Sequence, residues 1–370
     1  MISGQDANLS QDIVEHSETS TNSQLLSHDV KKLIWLTTTK DQISNTQHVM
    51  KHYVETAEPF TNSAVIKKKS QLAKDFMQLC HLHKWIEPAE SIWEDKGFLN
   101  LAGFIDNEAK CMGTNMPTVA LCYLDTLYNN KMYQKVIDEV QQLEAEDIAQ
   151  FPVFIHILGM MACMRLNTKA SLDAATAFYN GKHGEQIMKV SRVVQPYALL
   201  LCQQGNPGLA FEVMSLLQTR HFNYLRTGIL VYLLSALDRA EESCALLESA
   251  LRFGEREDKA KSVARGQDVP KVIFSIESVK ALTNLVESRK DVKLNARLAG
   301  VFSRLDKVAS ITDRNMVDLV AAEIDATSRE KSRLSKEAKY LEKIYLTKGS
   351  TNESEMLADD EYSLKDKQHR

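Results

Sequence analysis

The chain has 370 residues, of which 44% are hydrophobic and 25% are charged, and it contains only 14 glycines and 7 prolines. This composition is typical of a folded globular protein, and the scarcity of turn-forming residues disfavours a β-sandwich or β-barrel and favours an all-α fold. The formal net charge of −4 argues against a protein that coats nucleic acid through a uniformly basic surface, so RNA binding would need a local basic patch.

Residues 1–62 are predicted to form an N-terminal lead that is partly disordered. The first 30 residues are rich in Ser, Thr and Gln and contain five acidic residues, whereas the first basic residue is Lys31. A mitochondrial transit peptide is rich in arginine and poor in acidic residues. We therefore identify no transit peptide in residues 1–30.

A pattern of paired amphipathic helices is predicted to recur over residues 63–265. In residues 118–148, apolar residues at three- and four-residue spacing form one helical face, Asn129-Asn130-Lys131 interrupts it, and a second apolar stripe follows. Hairpins of this kind are expected at about residues 71–105, 118–152, 153–190, 192–226 and 227–261. Their turns are expected near His83-Lys84-Trp85 and at Asn129-Asn130-Lys131, Leu166-Asn167-Thr168, Gly205-Asn206-Pro207-Gly208 and Asp238-Arg239, with Lys131, Leu166, Gly205 and Arg239 as equivalent positions. So small a hairpin cannot bury its apolar faces alone, and consecutive hairpins must therefore stack.

The segments between and after these repeats have other predicted structures. Lys96–Asn115 is expected to be an insertion, and Arg252–Arg265 a basic loop. Residues 266–326 are predicted to form a C-terminal helical cap, with helices at Ile273–Ser288, Val292–Lys307 and Asn315–Ala326. Residues 327–348 are predicted to form a charged helix, either free or docked on a partner as a coiled-coil segment, and residues 349–370 a disordered tail.

Three stretches resemble, in pattern and order, the mitochondrial family of pentatricopeptide repeat-containing protein 2: YLDTLYNNKMYQKVIDEVQQL, YALLLCQQGNPGLAFEVMSLL and KLNARLAGVFSRLDKVASITDRNMVDLV. The matching order of features covers roughly two-thirds of the chain, although tetratricopeptide hairpins share a period of about 34 residues. The resemblance implies a right-handed α-solenoid in the mitochondrial matrix. It also implies binding of single-stranded mitochondrial RNA, with ribosomal or RNA-processing proteins as further partners.

In this sequence, the positions with which the family reads RNA bases carry residues that are poorly suited to that role. In the wider family, each repeat presents two or three side chains to one base. Carried over by position, the residues of the first helices would be Asp75, Cys122, Ile157, Pro196 and Val231, and only Asp75 has a conventional hydrogen-bonding side chain. We therefore expect binding to depend on backbone charge and shape rather than on a code of one base per repeat.

Basic residues close to aromatic residues are the candidate RNA contacts, because guanidinium and ammonium groups bind phosphates while aromatic rings stack on bases. The candidates are Lys67, Lys68, Lys69, Arg220, Tyr224, Arg226, Arg252, Arg256, Lys259, Lys261 and Arg265. A further basic group in the predicted cap consists of Arg289, Lys290, Lys293, Arg297, Arg304 and Lys307. The alternative for each cluster is a solvated helical face of mixed charge.

No motif of an enzyme is present, since the sequence contains no G-x-x-x-x-G-K-[ST], H-E-x-x-H or G-x-S-x-G string. We expect no catalytic residues, no cofactor and no metal. The nearest approach to a metal cluster is Cys80-His81-Leu82-His83, whose side chains would point in different directions on a helix. The apolar stretches are too short to span a bilayer.

The sequence thus predicts a non-enzymatic mitochondrial RNA-binding factor for transcript processing, maturation or stability. The alternative is a protein-binding scaffold, either a mitochondrial ribosome-associated subunit or a tetratricopeptide-like adaptor. The sequence leaves the oligomeric state open.

Overall fold

The computed structural model describes residues 11–16, 23–56, 63–94, 116–145, 153–217, 224–262 and 272–325. The described residues are almost entirely helical, which confirms the all-α class apart from two short strands. The helices of the first half are α1 (11–16), α2 (Ser23–Leu36), α3 (Lys40–Thr56), α4 (Ser63–His83), α5 (Ile86–Glu94), α6 (Met116–Asn129), α7 (Tyr133–Ala145), α8 (Val153–Leu166) and α9 (Lys169–Asn180). The remaining elements are α10 (Gly184–Ile187), α11 (Ser191–Gln203), α12 (Pro207–Leu216), α13 (Tyr224–Ala236), α14 (Ala240–Ser262), β1 (Val272–Ser275), α15 (Ile276–Arg289), α16 (Val292–Val308), β2 (Ala309–Thr312) and α17 (Met316–Asp325).

Consecutive helices pair into hairpins that pack on their neighbours along the chain. The paired helices are α2–α3, α4–α5, α6–α7, α8–α9, α11–α12, α13–α14 and α15–α16. The first helix of each hairpin also packs on the first helix of the next one, in the order α2, α4, α6, α8, α11, α13 and α15. The apolar faces are therefore buried by stacking between consecutive hairpins, as the small size of each unit requires.

The hairpin α2–α3 lies where the sequence analysis placed the N-terminal lead. Val30, Leu33 and Tyr53 are buried in it. The hydroxyl groups of Thr37 and Thr46 lie 2.6 Å apart between the two helices. The apolar spacing of this hairpin is inconspicuous in the sequence, because Ser, Thr, Gln and His occupy most of the remaining positions.

The turns of six hairpins share one backbone feature, a left-handed residue after the first helix. These residues, all with positive φ, are Lys84, Lys131, Asn167, Gly205, Asp238 and Lys290. At Lys84, Lys131, Gly205 and Asp238, the N–H of the left-handed residue donates to the carbonyl three positions back, and the next N–H donates to the carbonyl five positions back. This is the Schellman arrangement that ends many helices. Each of the five predicted turns contains its left-handed residue, although the equivalent positions are Asn167 and Asp238 rather than Leu166 and Arg239.

Gly205→Ala is expected to lower the free energy of unfolding by about 1 kcal/mol, because an alanine disfavours the left-handed backbone. A Cβ at Gly205 would meet no atom within 4 Å at its φ of +83°, so the cost comes from the backbone alone. Gly208→Ala is the matched control, since a Cβ there also meets nothing within 4 Å but the residue lies in α12. We expect this control to raise the stability by up to about 1 kcal/mol. Urea unfolding that gave both changes the same sign would contradict this assignment.

Helix α8 is buried on all sides over most of its length. The ten consecutive residues from Ile155 to Met164 are buried. The helix packs on α6, α7, α9 and α11. A Cβ added at Gly159 would lie 3.2 Å from Val140 Cγ1 and 3.3 Å from Phe178 Cε2, so this glycine allows α8 to approach α7 and α9 closely. A helix that is surrounded by other helices has no solvent-facing side, so its sequence is apolar all round.

The C-terminal described elements differ in part from the predicted cap. Strands β1 and β2 are parallel, with Val272 paired to Ala309, so residues 273–275 belong to a strand and not to a helix. The predicted basic loop is wrong for residues 252–262, because α14 continues to Ser262. Phe274 joins Leu282, Leu298 and other apolar residues in one core cluster between α14, α15 and α16.

The chain divides into two compact units, Met1–Val320 and Ala321–Arg370. Of the second unit, the structure describes only residues 321–325, which end α17. The predicted insertion at Lys96–Asn115, the predicted charged helix at 327–348 and the predicted tail at 349–370 lie outside the described residues, as do positions 266–271 and 326 of the predicted cap.

Candidate nucleic-acid interface

The predicted RNA contacts are distributed over several hairpins. Lys67, Lys68 and Lys69 belong to α4, Tyr224 begins α13, and Arg256, Lys259 and Lys261 belong to α14. Arg220 and Arg265 lie outside the described residues. Since α4 and α14 belong to hairpins four apart in chain order, these candidates do not come from one local unit.

Arg226 has a structural contact that competes with any role in RNA binding. Its Nη2 donates to the backbone carbonyl of Met214, at 3.3 Å, and so ties α13 to α12. Burial lowers the pKa of the Arg226 guanidinium. This group therefore serves the packing between two hairpins, which disfavours it as a phosphate ligand.

Arg252 belongs to a charged surface shared by α14 and α16. Glu248 accepts from Arg297 Nε at 2.6 Å and from Arg297 Nη2 at 3.0 Å, and Arg252 Nη2 lies 3.5 Å from the same carboxylate. The hydrogen bond from Arg297 is the main cause of the lowered pKa of Glu248. Helical spacing of four and seven residues places three basic side chains on a single face of α16, namely Lys293, Arg297 and Arg304. This surface keeps a positive excess, but one carboxylate already engages two of its arginines.

A second set of basic residues, absent from the candidates predicted from sequence, lies at the hairpin turns. Lys84 and Lys131 are exposed at the turns of α4–α5 and α6–α7. Arg165 lies in the last turn of α8, and Lys169 is exposed at the start of α9. We call the surface formed by Lys84, Trp85, Tyr128, Lys131, Tyr133, Arg165 and Lys169 the turn edge.

Side-chain contacts join each of these turns to the next. Asn130 Nδ2 donates to the carbonyl of Lys84 at 3.4 Å. Arg165 Nε donates to the hydroxyl of Tyr128, also at 3.4 Å. Gln204 Nε2 then donates to the carbonyl of Asn167 at 2.9 Å. Because every contact links consecutive turns, the basic residues of the turn edge lie along one side of the stacked hairpins.

Aromatic rings accompany the basic groups of the turn edge. The rings of His83 and Trp85 are stacked, with centroids 4.4 Å apart and an angle of 14° between their planes. The rings of Tyr128 and Tyr133 flank the turn that carries Lys131, with centroids 5.3 Å apart. Cationic groups beside partly exposed aromatic rings are the combination that binds single-stranded nucleic acid.

Acidic residues near the turn edge already have basic partners. Glu87 Oε2 lies 2.7 Å from Lys40 Nζ, and Asp318 Oδ1 lies 2.6 Å from Arg165 Nη1. The basic residues of the turn edge also have a possible structural role, because a cation at the C-terminal end of a helix interacts favourably with the helix dipole.

The turn edge has one signal in the sequence, which is a basic residue at or beside the left-handed position of successive turns.

The family's base-reading positions are mostly inside the core. The side chains at Ile157, Pro196 and Val231 are buried. Asp75 accepts a hydrogen bond from Gln71 Nε2 at 2.7 Å. Buried side chains cannot contact a base, so these positions offer no repeat-by-repeat code.

The described residues also contain a pair of titratable groups, the buried His156 and the partly buried Glu144. His156 Nδ1 lies 3.4 Å from Glu144 Oε1 at the contact between α7 and α8. Burial raises the pKa of Glu144 to about 7 and lowers the pKa of His156 to about 4. Burial therefore favours the neutral form of His156, which belongs to the core.

The residues of the Cys80-His81-Leu82-His83 string have separate partners. His81 Nε2 lies 3.3 Å from Asp125 Oδ2, His83 stacks on Trp85, and Cys80 is buried. Within the part of the chain that the structure describes, no group of three or more His, Cys, Asp or Glu side chains is placed to hold a metal ion.

No family model, curated protein or solved structure matches this chain. Among the helices described, none combines the length and the apolar character needed to cross a membrane.

Proposed function

We propose that this chain is a non-enzymatic α-solenoid that binds single-stranded RNA and supports the processing, maturation or stability of a mitochondrial transcript. The observation that carries the proposal is the turn edge, where Lys84, Lys131, Arg165 and Lys169 come from three consecutive hairpins. The resemblance to the mitochondrial pentatricopeptide family supports the mitochondrial matrix and a right-handed solenoid. The stacking of each hairpin on the next supports the solenoid independently.

The proposed RNA contacts are electrostatic and aromatic. Exposed lysines bind phosphates and release condensed counterions. The rings of Trp85, Tyr128 and Tyr133 provide surfaces on which bases of any identity can stack. Since such contacts carry little sequence information, binding is proposed to follow strand flexibility and backbone charge rather than a base code.

The proposal is tested by the salt dependence of RNA binding. Fluorescence anisotropy of a labelled 25-nucleotide single-stranded RNA would give its affinity for the full chain at 50 mM and 200 mM KCl. With three phosphate contacts, the logarithm of affinity should fall with a slope of about −2, so that a fourfold rise in salt costs roughly 20-fold in affinity. A duplex of the same sequence is the control and should bind more weakly, because its bases are already stacked. Absence of binding at 50 mM KCl would refute the proposal.

A protein-binding scaffold is the second candidate function, either as a mitochondrial ribosome-associated subunit or as a tetratricopeptide-like adaptor. Leu209 and Leu216 favour it, because they lie on one face of α12 and are 47% and 66% exposed. Exposed apolar side chains two turns apart on one face of a helix form the kind of surface that a partner helix covers. Co-purification of a defined partner that survives nuclease and is lost in Leu209→Ser/Leu216→Ser would support this function over RNA binding.

A further inference from the structure

One ion pair joins parts of the chain that are far apart in sequence. Asp318 Oδ1 in α17 lies 2.6 Å from Arg165 Nη1 at the end of α8, across 153 positions. The side chains of Arg165 and Asp318 are 26% and 43% exposed, so the pair is accessible to solvent. Most other contacts between the hairpins join neighbours along the chain.

The backbone around Asp318 is held in place by four separate contacts. Strand β2, which precedes it, pairs with β1. Ser275 Oγ donates to the carbonyl of Arg314 at 2.9 Å, and the N–H of Met316 donates to Glu277 Oε2 at 2.8 Å. The N–H of Asp318 itself donates to Asn315 Oδ1 at 2.7 Å, which caps the start of α17. The carboxylate is thus presented to Arg165 from a fixed first helical turn.

The site that receives this carboxylate has the chemistry of an RNA contact. Arg165 Nε donates to the hydroxyl of Tyr128, whose ring packs near that of Tyr133. A guanidinium forms charge-assisted hydrogen bonds with carboxylates and with phosphates in the same way. Asp318 therefore holds the position that a phosphate oxygen would take if a strand lay along the turn edge.

We infer that Asp318 occupies a phosphate-binding position on Arg165 in the free protein and that single-stranded RNA displaces it. This inference rests on the proposed function. Asp318 is a built-in competitor, so it lowers the affinity for RNA without blocking it. The remaining basic residues of the turn edge bind in either state, whereas Arg165 becomes available only when the carboxylate leaves.

Asp318→Asn is expected to raise the affinity for the 25-nucleotide single-stranded RNA two- to fivefold at 50 mM KCl, the range expected for removing one exposed ion pair. Asp313→Asn is the matched control, because Asp313 is exposed, lies five residues earlier and gives the same change in net charge. The double variant Arg165→Ala/Asp318→Asn should lose the gain, because the guanidinium that would receive the phosphate is absent.

The possible outcomes separate this inference from the function on which it rests. A gain for Asp318→Asn beyond that of Asp313→Asn, lost in the double variant, supports the competition. Equal affinities of Asp318→Asn and Asp313→Asn overturn the competition and leave the proposed RNA binding intact. A gain that persists in the double variant also overturns it, because Arg165 would then not be the site. No binding by any of the variants or by the wild-type chain overturns both.

Discussion

Replacement of Lys84, Lys131 and Lys169 by alanine in one variant is expected to weaken binding of single-stranded RNA by on the order of 10²-fold at 50 mM KCl. Each lysine that leaves a phosphate removes about 0.7 from the slope of log affinity against log salt, so the slope should flatten by about 2. The loss should shrink as salt rises, because the missing contacts are ionic. Anisotropy titrations at several salt concentrations measure both quantities.

A triple variant of equal charge controls for the change in net charge. Lys51, Lys189 and Lys280 are exposed and lie away from the hairpin turns of the turn edge. Their joint replacement by alanine should weaken binding only a fewfold, since long-range attraction is screened within about 10 Å at 0.1 M salt. Equal losses in the two triple variants would mean that RNA responds to total charge and not to the turn edge.

Phe178→Ala is expected to lower the free energy of unfolding by about 3–5 kcal/mol, the range for removing a buried phenylalanine from a packed core. Phe178 in α9 is fully buried, and its ring faces Gly159 and His156 of α8. The cavity would loosen the hairpin that carries Arg165 and Lys169. Because each hairpin stabilises its neighbours, the loss should be cooperative and not confined to α9.

Phe154→Ala is the control for this substitution, since Phe154 lies in α8 but is 58% exposed. Its replacement should change the stability by no more than about 0.5 kcal/mol. Urea unfolding followed by circular dichroism gives both values. Similar losses for Phe154 and Phe178 would contradict the described packing of α8 on α9.

The hairpins could be predicted from sequence because their signals are local. Apolar residues at three- and four-residue spacing marked the helices, and interruptions of that spacing marked the turns at Lys131 and Gly205. The turns at Leu166-Asn167-Thr168 and Asp238-Arg239 were also predicted, and in each the left-handed residue is the Asn or Asp, the non-glycine types that best tolerate this conformation. The breaks in the apolar pattern therefore located the turns, and the residue types within them indicate which position is left-handed.

The candidate site was harder to predict, because its residues are brought together by stacking. Runs such as Lys67-Lys68-Lys69 attract attention in a sequence, whereas the turn edge takes one or two basic residues from each hairpin. The ion pair of Arg165 with Asp318 spans 153 positions and has no local signal. The supposed loop after Arg252 is helical to Ser262 because Glu, Arg, Lys and Ala, all good helix formers, dominate that segment.

Photo-crosslinking tests the central claim most directly. Single-stranded RNA containing 4-thiouridine would be irradiated in complex with the full chain, and the crosslinked peptides would be identified by mass spectrometry. The turn edge predicts crosslinks in the peptides that contain Trp85, Tyr128 and Tyr133. Crosslinks confined to α14 and α16, with none on those three peptides, would contradict it.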